Sequence, residues 1–139
     1  MSDRVFTIIA SLITLSLSTL ISILSYIANR HITLNHEKYM NFYKPFYALY
    51  ISIHEGRALD FTHLSKNDQN RIMDFLIQNR SYVNKQIDID VYSLMCSRQN
   101  NFNNNSKDNI KTANISYRRI TDYMISKEHK LRNKYTSKK

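Results

Sequence analysis

The chain has 139 residues with a formal charge of +9, and it contains one Gly, one Pro and one Cys. A single Gly excludes a P-loop or a dinucleotide-binding loop, and a single Cys excludes an internal disulfide framework and suits a reducing compartment. The scarcity of Gly and Pro argues for an all-α fold with short polar connections, and the positive charge calls for an anionic neighbour, phospholipid or nucleic acid.

Residues 1–4 form a short polar tail. From Val5 to Ala28 no charge occurs, and thirteen of these 24 residues are Val, Ile, Leu or Phe. As a helix the segment reaches roughly 36 Å, enough for a hydrocarbon core of about 30 Å. A single-pass transmembrane helix over 5–28 is therefore expected. A cleaved signal peptide would carry a shorter apolar run and a small-residue cleavage site, whereas "SYIANR" places Tyr26 two residues before Ala28. The segment is nonetheless rich in hydroxyls. At 100° per residue Thr7, Ser11, Thr14, Ser18, Ser22 and Ser25 project within an arc of about 80°. Ile9, Leu12, Ile13, Leu20, Ile23 and Ile27 occupy the opposite side. That spacing is expected to form a seam of small side chains through which the helix self-associates. Two other readings are hydroxyls merely tolerated in lipid, and a polar stripe lining a pore, as in a holin-like protein.

Arg4 stands before the span, while Arg30, Lys38 and Lys44 follow it closely. The positive-inside rule then puts the N-terminal side outside the cell membrane and the C-terminal part in the cytoplasm. The sequons at Asn79, Asn104 and Asn114 are what an Asn-rich chain produces by chance.

Residues 29–44 make a juxtamembrane segment, a continuation of the helix as far as a kink at Pro45. Residues 45–135 are expected to form a small cytoplasmic bundle of three to four helices. Tyr39, Tyr43, Tyr47 and Tyr50 recur at helical spacing with Phe42 and Phe46 alongside. This aromatic set fits either the core face of the domain, the preferred placement, or the headgroup level of a membrane. Gly56 should end that helix. Ser65 should cap the next, with Asp68 in its first turn and Ile72, Phe75, Leu76 and Met73 on the buried face. Val83, Ile87, Val91, Leu94 and Arg98 recur at helical spacing and predict a helix from Tyr82 to Gln99. "NNFNNNS" reads as a loop, and Ser106 as the cap of a last helix. That helix carries its apolar line at Ile110, Ala113, Tyr117, Ile120, Met124 and Leu131.

The chain then ends in a basic tail, 136–139. Across "SKEHKLRNKYTSKK", Lys130, Arg132, Lys134, Lys138 and Lys139 are candidate contacts for anionic headgroups, each contributing about 1 kcal/mol at best. The same charges suit solvent or nucleic-acid phosphates, but no aromatic stacking platform accompanies them.

Catalytic chemistry finds little footing. "HEKYM" begins like a zinc-protease helix, yet Met40 stands where the second His is needed. His31, His54, His63 and His129 lack ligand spacing. Cys96, between apolar neighbours, reads as a buried thiol. Asp88 and Asp90 lie on different helix faces, and "HEGR" places His54, Glu55 and Arg57 at a helix end, where capping and surface pairing account for them. No enzyme activity, cofactor or metal is expected. The one-span layout, "FYALYISIHEGRALDF" and the basic "KEHKLRNKY" resemble small membrane proteins encoded in phages and prophages of low-GC Gram-positive bacteria. Some of those act in superinfection exclusion. The resemblance implies an interaction protein anchored in the membrane, with lipid, a second copy and an unnamed protein as partners. Membrane-tethered nucleic-acid binding is the alternative.

Overall fold

The computed structural model describes residues 2–99 and 107–136, all of whose regular structure is helical. The chain divides into two compact units, Met1–Glu37 and Lys38–Lys139.

The helix of the first unit is α1, which runs from Ser2 to Lys38, its last residue counted with the second unit. Its side chains from Arg4 to Leu34 are all exposed. An 18-residue window in this helix reaches a mean hydropathy of 2.1 with none of it buried. A helix of this length and composition could span a membrane, and its apolar side chains have no partner within the unit.

The second unit starts with a π-turn, Tyr39–Tyr43, and continues into α2, Lys44–His54. Lys38 and Lys44, which flank the turn, both keep right-handed helical geometry, and the Lys44 N–H reaches back to the Tyr39 carbonyl. From the sequence a kink is expected at Pro45. The ring of a proline inside a helix crowds the carbonyl four residues back and supplies no N–H. A π-turn, one residue wider than an α-turn, immediately precedes Pro45 and accommodates that defect without ending the helix. It also sets which aromatic side chains are buried. Tyr39, Phe42, Tyr43 and Phe46 are all core residues of the domain, while Tyr47 and Tyr50 are half-buried. Phe42 is wholly enclosed, with its ring 5.9 Å from both Phe75 and Tyr82. α2 stops at His54, as Gly56 just past its end implies, with Glu55 (φ 47°) and Gly56 (φ 80°) both in left-handed geometry.

A 3-10 turn at Phe61–His63 precedes α3, Lys66–Gln78. Ser65 caps α3 as its sequence position implies: its Oγ accepts from the Asp68 N–H at 3.1 Å and donates to the Asp68 carboxylate at 2.7 Å. Such a cap contributes about 1 kcal/mol. Ile72, Met73 and Leu76 are buried, and Phe75 is half-buried. The fourth buried residue is Gln69, whose Nε2 donates to the carbonyls of Phe61 and Leu64 at 3.0 and 3.1 Å. It fastens the preceding turn to the helix.

The next helix, α4, spans Lys85–Gln99, three residues shorter at its start than the apolar spacing predicts. A 3-10 turn occupies Arg80–Tyr82, and Val83 is extended. The cap is Asn84, whose Oδ1 accepts from the Ile87 N–H at 2.8 Å. Arg80 bridges turn and helix, donating to both carboxylate oxygens of Asp88 at 2.6 and 2.9 Å. Those hydrogen bonds hold the Asp88 carboxyl below its ordinary range and raise the Arg80 guanidinium.

The last helix, α5, runs from Lys107 to Thr136 and packs along α4 and against α2, the π-turn and the 61–63 turn. Ala113, Tyr117, Ile120 and Met124 are buried on the expected line, with Ile110 and Leu131 half-buried. Ser106, the expected cap, lies outside the described residues. Asn114 joins α5 to the 61–63 turn: it accepts from the Thr62 N–H and donates to the Thr62 hydroxyl, each at 3.1 Å.

Candidate functional site

On α1, the helix itself takes up most of the stripe's hydroxyl protons. Ser11 donates to the Thr7 carbonyl and Thr14 to that of Ala10, both at 2.8 Å. Ser18 and Ser22 do the same toward Leu15 and Ser18, at 2.9 Å each. Ser16 and Thr19, off the stripe, also bond back into the helix. Back-bonded hydroxyls are compact and largely desolvated, so they suit an apolar surrounding. What they leave for a neighbouring helix is mainly a shallow surface that admits close packing, with oxygen lone pairs as acceptors.

At the C-terminal end of α5 the basic residues differ from one another. Arg132 is turned toward the domain: it lies 3.1 Å from the Glu128 carboxylate, donates to His129 Nδ1 at 2.7 Å and sits over the Tyr47 ring at 5.5 Å. Lys134 stands over the Tyr135 ring at 5.7 Å and Lys127 over that of Tyr123 at 5.5 Å. Lys130 and Lys134 are exposed, and Lys138 and Lys139 lie outside the described residues. Glu128 is buried, as is Asp90, which faces Arg119 at 3.5 Å. Neither burial is expected from the sequence, where Asp90 reads only as a poor pair for Asp88. The available signal was position: Glu128 falls four residues after Met124 on the buried line and four before Arg132.

"HEGR" separates into two arrangements. Glu55 and Arg57 form an exposed ion pair at 3.3 Å. His54 is only 2% exposed and lies between the rings of Tyr50 and Tyr117, with centroids at 4.0 and 5.9 Å. Its Nδ1 is 3.1 Å from the Tyr50 carbonyl, and its Nε2 is 3.3 Å from the Tyr117 hydroxyl and 3.4 Å from the Leu59 carbonyl. A carbonyl only accepts and one stands beside each nitrogen; with the proton on Nδ1, which has the shorter carbonyl distance, the Tyr117 hydroxyl donates to Nε2. Burial raises the Tyr117 phenol well beyond its ordinary range, and burial followed by the Asp122 charge raises Tyr50. Both remain neutral hydrogen-bonding groups. A cleft of about 210 Å³ opens above them, with the Arg118–Asp60 ion pair at its edge, 2.8 Å between charged atoms. The arrangement latches the end of α2 to α5 and to the linker; it supplies no activated nucleophile.

Cys96 is half-buried, more open than its apolar neighbours suggest. Its thiol neighbours Tyr92, an exposed residue one turn earlier, and that neighbour raises the Tyr92 phenol. Among the described residues, no three His, Cys, Asp or Glu side chains converge as metal ligands would. Asp88 and Asp90 have separate partners, Arg80 and Arg119.

These features define a class: an all-α chain with one long apolar N-terminal helix, able by length and composition to cross a membrane, and a helical domain with its own aromatic core. Comparison with protein-family models, with curated proteins and with solved structures found no match.

Proposed function

We propose that this chain is a non-enzymatic, single-pass membrane protein whose C-terminal domain acts by binding other proteins at the cytoplasmic face. The observation that carries the reading is α1: exposed from Arg4 to Leu34 and holding an 18-residue window of mean hydropathy 2.1, in a chain whose domain encloses its own core. The apolar helix needs lipid, and the domain does not. Arg30, Lys38 and Lys44 on one side of the span against Arg4 on the other orient the domain, a small helical bundle, toward the cytoplasm.

Two copies associate through Thr7, Ser11, Thr14, Ser18, Ser22 and Ser25. Back-bonded hydroxyls support packing at close range in place of an open pore lining. Lys130 and Lys134, exposed on α5, together with Lys138 and Lys139, contact anionic headgroups; Arg132 serves chiefly to hold Glu128. The likeness in layout to prophage-encoded membrane proteins supports a role in a process at the membrane, of which blocking entry of foreign DNA is one example.

Alkaline carbonate extraction of membranes tests the anchor. The full chain should stay with the lipid pellet, and a variant lacking residues 5–28 should move to the supernatant. A full chain released by carbonate would sink the proposal.

A further inference from the structure

A second cleft, of about 310 Å³, lies between α3 and α4, away from His54. Its lining is Met73, Ile77, Met95, Arg98 and Gln99. Met73 forms the enclosed floor at 1% exposure, Ile77 stands open at 45%, and Met95 is half-buried. This is an apolar hollow with one cation and one amide at its edge. Its size is at the lower end of small-molecule sites, which run from about 300 to 1,000 Å³ and combine apolar walls with few polar groups. Methionines adapt to ligands of varied shape.

Among the described residues no carboxylate compensates the charge at the edge. Arg57, Arg71, Arg80, Arg118, Arg119 and Arg132 each lie within 4.0 Å of a carboxylate. Among the described residues of the domain, Arg98 is the one arginine with no carboxylate at that distance. Its guanidinium donates to the neutral side-chain carbonyl of Asn70 on α3. That bond fixes the fork at the mouth of the hollow while most of its five N–H groups remain for another acceptor. We propose that this cleft binds a small apolar monoanion, with the hydrocarbon part against Met73, Ile77 and Met95 and the carboxylate on Arg98. A medium-chain fatty acid has this chemistry.

The test uses the full chain in lipid nanodiscs with methyl-labelled methionine, octanoate as probe and octanol as its uncharged counterpart. Octanoate should shift the Met73 and Met95 methyl signals in a saturable way, leaving exposed Met40 and core Met124 in place. Octanol should bind at least about tenfold more weakly, since it forfeits a charge-assisted hydrogen bond. R98Q should bring octanoate down to the octanol level, and R98K should retain part of the difference. Ile77→Asp should weaken both probes with the Met124 signal unmoved. A cation placed only to complement the C-terminal end of α4 would leave octanoate and octanol equal in the native chain. That equality, shifts spread evenly over all four methyls, or no shift at Met73 and Met95 would overturn the proposal.

Discussion

Replacing Ser11, Thr14 and Ser18 together with leucine should weaken self-association of the chain in membranes by about twentyfold, from roughly 0.6 kcal/mol at each of three positions. The substitutions raise the hydropathy of α1, so insertion is retained and only the seam is lost. In each case a compact, back-bonded hydroxyl gives way to a branched side chain that keeps the partner backbone at a distance. Energy transfer between labelled copies in liposomes, followed against dilution in lipid, measures the change. Leu12, Leu20 and Ile27 lie on the opposite side, and changing them together to alanine should leave association intact. An unchanged oligomer in the leucine variant would remove the seam from the description.

Phe42→Ala should destabilise the domain by about 3 to 5 kcal/mol. Phe42 has no exposed surface, and its ring is enclosed by Phe75, Tyr82 and Tyr43. A domain of this size has a total stability of about 5 to 15 kcal/mol, so the loss removes a large share of it. Urea unfolding of the full chain in micelles, followed by tyrosine signals in the near-ultraviolet, gives the difference. Met40, two residues away and 42% exposed, provides the control: Met40→Ala should be close to neutral. A small effect at Phe42 would mean that the aromatic segment is not the centre of the core.

Where local chemistry and apolar spacing agree, the sequence reading and the structure coincide. The Ser65 cap and the buried line of α5 are such cases, because each depends on contacts within one or two turns. The start of α4 is different. Val83 and Ile87 keep helical spacing, but Asn84 offers a better cap and Arg80 reaches across to Asp88, so the helix begins after both. The π-turn was hidden as well: Pro45 announces a defect, and only packing of Tyr39, Phe42 and Tyr43 decides that it is absorbed by widening one turn. Buried polar residues were the least legible. Gln69, Asp90 and Glu128 look like solvent-facing positions until the turn carbonyls that accept from Gln69 and the arginines beside Asp90 and Glu128 are brought near. His54 belongs with them, since its partners Leu59 and Tyr117 come from the linker and from a helix 63 residues away. The cleft at Arg98 left no trace in the spacing, because its walls come from two helices.

Orientation in the membrane is the most direct test of an anchored cytoplasmic domain. In a Cys96→Ser background, single cysteines at Lys130, exposed on α5, and at Ser2 can be probed with a membrane-impermeant maleimide. K130C should stay unlabelled in intact cells and react fully once the membrane is permeabilised, whereas S2C should react in both. Labelling of K130C in intact cells, or recovery of the chain outside the membrane fraction, would contradict an anchor that holds the domain in the cytoplasm.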